Sequence, residues 1–397
     1  MNSRMRILWL CSWYPHDADT FDGDFIERQA RAAASLHTID VIHVVQKREL
    51  LHTEQPRVVQ KNEHNLSVTI VYVSNKGLFR QAAHTVLFNL RYYRILLKTI
   101  SNYIHKEGMP DLVHLQVPVK MGAGALWLKK KYGIPFVVTE HANRYHNGDW
   151  EAVSDASFLF RKLTHSVIKQ TDALVTVSQY LGEAINTYVQ PKAFTVVPNV
   201  VDTSLFTYHP FAAATPTFRF LHVSNLAPVK NPQLMMDAVK LFFDNGGDAE
   251  FVFTGNLTDE WKLYAQAIGI PDNKVAFQGE VPYEHVAKEM KQAHAFFIFS
   301  KSETFSCAAA EALCCGLPVA AARVGALPEL LNTSNAVFAD ATNDAAAFAR
   351  SLMQLQQTYH LFNRSAIAAN ASALYNYNKI AEQINSVYKT VIEKKRK

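Results

Sequence analysis

Two doubly wound α/β domains joined by a short turn-forming segment are the fold this sequence predicts, and three observations predict it. Strand-like apolar runs alternate with helix-length runs from Arg6 to Val197. The alternation breaks at Pro198-Asn199-Val200-Val201-Asp202-Thr203 and resumes at Arg219. The chain has 397 residues, too many for one hydrophobic core. Strands separated by helical crossovers pair in parallel, which is the doubly wound arrangement.

Arg6–Cys11 reads as the first strand, Tyr14–Asp24 as an Asp-rich loop and Phe25–Leu36 as a helix. Ile39–Val45 is a strand apolar on both faces, as a buried parallel strand must be. The weaker region Lys47–Ser74 carries one more strand, Val68–Val73, and Leu78–His105 is a long helical stretch. Leu112–Leu115, Phe136–Thr139, Ala173–Val177 and Phe194–Val197 complete the first set of strands. The first domain is therefore 1–200 and the second 203–374. In the second domain Arg219–Val223, Glu250–Thr254, Val275–Phe277, Ala295–Phe299 and Val319–Ala322 are strands. Asn231 caps a helix with Pro232 at its first position and an apolar stripe of Leu234, Ala238, Leu241 and Phe242. Helices at Asp344–Gln357 and Lys379–Ile392 close the chain.

Composition excludes several classes. A net charge of +5 is mild, and no basic tract is long or interleaved with aromatics, so nucleic acid is not a partner. Four cysteines without a Cys-x2-Cys pair favour a reducing compartment over a disulfide framework or a zinc site. No apolar run spans a bilayer, and Met1–Trp13 reads as carrying the first strand rather than a signal peptide.

The chemistry concentrates in Ser300–Pro318. A strand runs into a polar loop that opens an Ala- and Leu-rich helix, which Gly316 ends and Pro318 prevents from continuing. Glu303 in the loop and Glu311 in the helix have seven residues between them. Backbone N–H groups of Thr304 to Cys307 lie at the helix N-terminus, where an anion is favoured. Amides for phosphate and carboxylates for hydroxyls suit a ligand carrying both.

In the frame Ser-x-Ser-Glu-Thr-Phe-Ser-x4-Glu-Ala-x3-Gly-x-Pro-Val, this stretch resembles the Glu-x7-Glu motif of retaining glycosyltransferases of family 4, which have the GT-B fold. The resemblance covers nearly the whole chain. It is most specific from Pro198, whose segment is similar to the family's Pro-Asn-Gly-Val-Asp linker, to Glu329, which ends a Gly-x-x-Pro-Glu turn. It implies two Rossmann-like domains with a cleft between them, and a last helix (375–397) packed back on the first domain. Donor would bind the second domain and acceptor the first. Glu303 would then contact the donor sugar and Glu311 the ribose, with Lys230 on the diphosphate and His141 facing the sugar. Thr304, Phe305 and Ser306 would meet the donor at the helix N-terminus. Asn225, where the family often has Arg, Gly255, Gln278 and Val281 would line the donor. Gly23, Asp24, Asn143 and Arg144 would face the acceptor. No metal and no cofactor beyond the nucleotide-sugar co-substrate is implied.

The expected reaction is retaining transfer of a sugar to a glycan or lipid-linked acceptor in cell-envelope or exopolysaccharide synthesis. The alternatives are an epimerase-like GT-B enzyme and a non-catalytic GT-B scaffold. Lys76–Lys106 holds six Lys or Arg and no Asp or Glu among large apolar residues. Such a stretch either lies on an anionic membrane surface or is a core helix with a basic solvent face. The expected location is cytoplasmic, with peripheral contact on the inner face of the membrane as the first of these options.

Overall fold

The computed structural model describes residues 4–45, 57–73, 81–145, 152–189, 191–210, 217–256 and 259–396. They divide into two compact units, Met1–Asn199 with Ile380–Lys397, and Val200–Lys379.

The first unit runs β1 (Arg6–Cys11), α1 (Asp24–Ala34), β2 (Thr38–Val45), β3 (Arg57–Glu63), β4 (Leu66–Tyr72), α2 (Gln81–Glu107), β5 (Leu112–Gln116), α3 (Gly122–Tyr132), β6 (Phe136–Glu140), α4 (Phe158–Gln170), β7 (Ala173–Thr176), α5 (Gln179–Tyr188) and β8 (Phe194–Val196). Its sheet has the order β3-β4-β2-β1-β5-β6-β7-β8. All neighbours are parallel except β3, which pairs antiparallel with β4. The chain adds strands on one side of β1 and then on the other, so the winding reverses between β1 and β5. β5 and β6 are buried end to end, so their sequences are mostly apolar, with His114 inside β5 and Gln116, Thr139 and Glu140 near the carboxyl ends. β3 was absent from the sequence reading. It is an edge strand, largely exposed and polar, and so carries no apolar alternation to detect.

The second unit runs β9 (Arg219–Val223), α6 (Pro232–Asp244), β10 (Glu250–Thr254), α7 (Asp259–Ala267), β11 (Val275–Phe277), α8 (Tyr283–Gln292), β12 (Ala295–Ile298), α9 (Cys307–Cys314), β13 (Val319–Ala321), α10 (Leu327–Leu330), β14 (Ala336–Phe338), α11 (Ala345–Thr358) and α12 (Arg364–Tyr375). The sheet is parallel throughout, in the order β11-β10-β9-β12-β13-β14. Its winding reverses between β9 and β12. Phe220, Phe242, Phe251, Phe253, Phe297, Phe299 and Phe348 are fully buried in one cluster, each contributing about 1.5–3 kcal/mol by burial. The buried face of α6 is Met235, Met236, Ala238, Val239 and Phe242. Ala238 and Phe242 of the expected stripe lie on this face, whereas Leu234 and Leu241 are only partly buried. Asn231 does occupy the cap position, but in the left-handed region (φ 58°) and without a side-chain capping bond.

The helix α13 (Tyr377–Arg396) brings the chain back to the first unit from Ile380 onward. The expected helix 375–397 therefore starts at Tyr377, and its first three residues group with the second unit. Val200 and Val201 are fully buried, and the Val201 amide donates to the Tyr375 carbonyl at 2.9 Å. That bond joins the start of the second unit to the end of α12. On α13 the Tyr388 hydroxyl accepts from the Trp9 indole N–H at 3.1 Å and shares a hydrogen bond with His114 Nδ1 at 2.6 Å. All three side chains are buried. Tyr388→Phe strands two buried polar groups and should lower stability by about 1–3 kcal/mol. Urea denaturation checks it; an unchanged midpoint would show that the hydroxyl does not hold this helix.

Candidate active site

Ligands of open α/β sheets bind beyond the carboxyl ends of the strands, where the winding reverses. In the second unit that place is the pair of loops after β9 and β12. The first loop is built by short side-chain turns. Ser224 Oγ accepts from the Leu226 amide, and Asn225 Oδ1 from the Ala227 amide, both at 3.1 Å. The Lys301 amide donates to the Val229 carbonyl at 2.8 Å and joins the two loops. Lys230 Nζ then donates to Glu303 Oε1 at 2.6 Å, and Ser300 Oγ donates to the same oxygen at 2.6 Å. The Glu303 side chain is 8% exposed and that of Lys230 24%. One oxygen of this buried carboxylate thus takes two donors, and an ammonium has further N–H groups to offer a ligand.

Two glycines allow this packing. Gly325 has φ +54°, and a Cβ there would lie 2.2 Å from the Glu303 carbonyl oxygen. Gly255 has φ +137°, and a Cβ there would lie 2.0 Å from the Ser224 carbonyl oxygen. The Gly255 amide donates to the Gly279 carbonyl at 2.8 Å, and Thr254 Oγ1 donates to Gln278 Oε1 at 3.2 Å. Gly255, Gln278 and the Ser224–Asn225 loop thus share one sheet edge, with Val281 half-buried beyond Gln278.

α9 starts at Ser306, in the left-handed region (φ 75°), and its hydroxyl accepts from the Ala309 amide. Thr304 and Ser306 are half-buried at this terminus. Phe305 stands between them with its side chain turned inward. The ring is 3% exposed and packs edge-on against Tyr375 at 5.5 Å, so only its backbone can meet a ligand. Glu311 is 4% exposed and accepts from the Tyr283 hydroxyl.

Sequence reasoning missed Tyr283, Ser300 and His222. Tyr283 follows Val281, one of the expected donor-lining residues, after a single proline, and an aromatic hydroxyl opening a helix there was the available signal. His222 gave none. It sits inside β9, bonded to the Phe297 carbonyl at 2.9 Å and Ser224 Oγ at 2.7 Å, and links the strand to the loop that carries Lys230.

The remaining candidates lie in the first unit. Glu140, at the end of β6, is buried and accepts from the amides of His141 and Ala142, each at 2.8 Å, and from Tyr145 Oη at 2.7 Å. Burial raises its pKa and these donors oppose that. It fixes the loop presenting His141, Asn143 and Arg144, and it too was missed. His141 Nε2 bonds Gln116 Oε1 at 2.8 Å, and its ring lies 4.9 Å from that of Phe25. Gly23 is the left-handed N-cap of α1. Asp24 accepts from its neighbour Phe25 and from the Arg28 guanidinium at 2.7 Å. Trp13 gathers these elements: its backbone presses on Gly23, its ring edge meets Phe25, and the Arg144 guanidinium lies 5.9 Å from its ring centre.

Burial pulls the pKa of His114 and His141 down to about 3 and that of His222 to about 4, so all three are neutral in the fold. In the unfolded chain each takes a proton near pH ~6.5. Their stabilising effect is therefore complete above that pH and is lost as pH falls toward the folded values. Each adds a slope of about 1.4 kcal/mol per pH unit in that window. Denaturation midpoints should fall steeply between about pH 6.5 and 4.5. A flat profile there would mean that these imidazoles are protonated in the native state.

Two family models match, "Glycosyltransferase Family 4" over residues 24–205 and "Glycosyl transferases group 1" over residues 210–371. The phosphatidylinositol N-acetylglucosaminyltransferase gpi3 subunit of Schizosaccharomyces pombe is 22% identical over 331 residues, 82% of this chain and 69% of that protein. The chain spans 64%, 52% and 53% of the length of three further curated relatives. Among solved structures, sucrose-phosphate synthase from Thermosynechococcus elongatus aligns with TM-score 0.77 at 15% identity, covering 98% of this chain and 100% of that one. Anabaena Alr3699/HepE in complex with UDP aligns with TM-score 0.71 at 17% identity, covering 97% and 100%. With its two halves matched by the two models and its two parallel sheets shared with these structures, the chain belongs to the group 1 and family 4 glycosyltransferases of GT-B fold.

Proposed function

We propose that this protein is a retaining glycosyltransferase that binds a nucleoside-diphosphate sugar in its second unit and transfers the sugar to a glycan or lipid-linked acceptor held by its first. The observation that carries this reading is the Lys230–Glu303 pair at the β9/β12 reversal, with Glu311 and Tyr283 beyond it on α9 and α8. Family membership supports it. So do the UDP named with the Anabaena structure and the phosphatidylinositol named for the Schizosaccharomyces relative.

In this reading Lys230 exchanges Glu303 for the donor diphosphate. The exchange neutralises the leaving group and frees a carboxylate to accept from sugar hydroxyls. Backbone amides of Thr304, Phe305 and Ser306 add the helix-terminal field. Glu311 accepts from the ribose, Tyr283 steadies it, and Asn225, Gly255, Gln278 and Val281 line the nucleoside side. His141 faces the sugar, and Gly23, Asp24, Asn143 and Arg144 face the acceptor. The anomeric C–O bond to phosphate breaks as the acceptor oxygen attacks the same face, and the acceptor proton passes to a donor phosphate oxygen. No metal takes part in these steps.

We place the protein in the cytoplasm with α2 against the inner face of the membrane, as an envelope or exopolysaccharide enzyme would be. Residues 76–80 of the basic stretch lie outside the described residues. On α2, Leu87 and Leu90 are 50% and 60% exposed, and Arg94 and Lys98 are exposed beside them. No helix among the described residues is long and apolar enough to cross a membrane. Anionic vesicles should therefore retain the protein at low salt and release it at high salt, whereas equal recovery with neutral vesicles returns α2 to a core helix with a basic face.

The donor site is tested by calorimetry with UDP, GDP and ADP beside mass-spectrometric assay of their sugars. Glu311→Ala should weaken binding of the preferred nucleotide by roughly ten- to a hundredfold. Glu303→Ala should leave that affinity unchanged or raise it, since Lys230 no longer leaves a carboxylate, while turnover falls. The reverse pattern would exchange the two roles, and no effect of either change would remove the site.

A further inference from the structure

The first sheet also carries polar side chains away from its carboxyl ends. On β4, Leu66, Val68, Ile70 and Tyr72 are buried on one face, as a helix-covered sheet requires. The opposite face presents Ser67 and Thr69, both half-buried. The pairing register sets Asp40 of β2 and Asn62 of β3 beside Ser67, and Ile42 and Gln60 beside Thr69. α2 packs against β2, while Gln60 and Asn62 stay exposed. Between the helix and these strands lies a groove of about 170 Å³, walled on the helix side by Thr99, Asn102, Tyr103 and Lys106. It sits toward the amino ends of β2 and β4, away from the loop that carries His141. Its volume is below the roughly 300–1,000 Å³ of a pocket for a whole small molecule, so it suits one unit of a longer ligand.

Asp40 lines this groove and is only 8% exposed. Its Oδ2 accepts from the Tyr103 hydroxyl at 2.9 Å and lies 3.7 Å from Arg6 Nη1. Its Oδ1 has no hydrogen-bond partner among the described residues. Burial raises the pKa of this carboxyl, a cost that a hydrogen bond donated to Oδ1 offsets. The neighbouring polar groups are satisfied only in part. Ser67 Oγ donates to Asn62 Oδ1, which leaves the Asn62 amino group to donate elsewhere. Gln60 Nε2 donates to Thr69 Oγ1 at 3.4 Å, which leaves the Gln60 carbonyl oxygen and the Thr69 hydroxyl proton. The side chains of Thr99 and Asn102 have no partner among the described residues.

The charges at the groove are matched within the protein. Asp40 and Glu107 face Arg6 and Lys106, and Glu107 takes Arg6 Nη1 at 3.0 Å and Lys106 Nζ at 3.1 Å. A charged ligand would disturb that balance. What is left to bind with is neutral, apart from Asp40 Oδ1: hydroxyls and amides in adjacent rows, each able to donate or accept. At one end Val58, 55% exposed, pairs with Val71 and adds an apolar surface. A pyranose ring has the complementary make-up, with hydroxyls on neighbouring carbons and C–H groups between them. Resting on the transferase reading above for the presence of a glycan, we infer that this groove binds one neutral pyranose unit of a glycan chain, by residues distinct from those assigned to donor and acceptor. A unit held here keeps the rest of its chain at high local concentration beside the enzyme.

The test is saturation-transfer NMR of the full chain with the methyl glycosides of glucose, mannose, galactose and N-acetylglucosamine. At least one should receive saturation from the protein, with an affinity that falls at least fivefold in Asn102→Ala and in Thr69→Val. Both changes are small and remove one polar group each, and neither should move the thermal midpoint or nucleotide affinity. The same affinity should stay within twofold in Lys230→Ala and in Glu303→Ala. No transfer to any of the four glycosides would overturn the inference. So would a loss confined to Lys230→Ala or Glu303→Ala, which would assign the signal to the donor site. Equal binding of ethanolamine, abolished by Asp40→Asn, would make the groove a cation site and overturn it too. Loss of nucleotide binding with the glycoside response intact would overturn the transferase reading alone, and the reverse would overturn this inference alone.

Discussion

A parallel sheet covered by helices on both faces leaves its strand ends as the place where polar loops can gather, and both units use that place. β5 and β6 are buried along their whole length, as are most residues of β9 and β12. Charged side chains within such a sheet would lose hydration without partners. They collect instead where winding in opposite directions parts the loops. Lys230 and Glu303 meet at one such place, and His16, His43 and Lys120 meet at the other.

Groups buried near those ends act as anchors. His222 ties the carboxyl end of β9 to the Ser224 turn, and Glu140 gathers two amides and a phenol to shape the loop after β6. Each is a polar group whose burial is offset by fitted partners, so each fixes a loop in one conformation. Gly255 and Gly325 serve the same end by absence of a side chain: their neighbours' carbonyls occupy the space a Cβ would need. The result is a Lys–Glu pair held by loops that are each fixed by their own contacts.

Neighbouring residues alone suffice to read the two runs of alternation, the break near Pro198, and the Ser300–Pro318 stretch with its two carboxylates. Strand period, helix caps and glycine or proline stops are local properties, so they are legible along the chain. The same local reading misses β3, whose exposed edge needs no apolar pattern, and the burial of Phe305 against Tyr375. Nor does it show that Lys230 pairs with Glu303, or that Tyr283 reaches Glu311. His16 and His43 are separated by a helix, yet both line one cavity. Contacts of this kind come from the fold, because sheet order joins residues whose separation along the chain carries no trace of their distance in space.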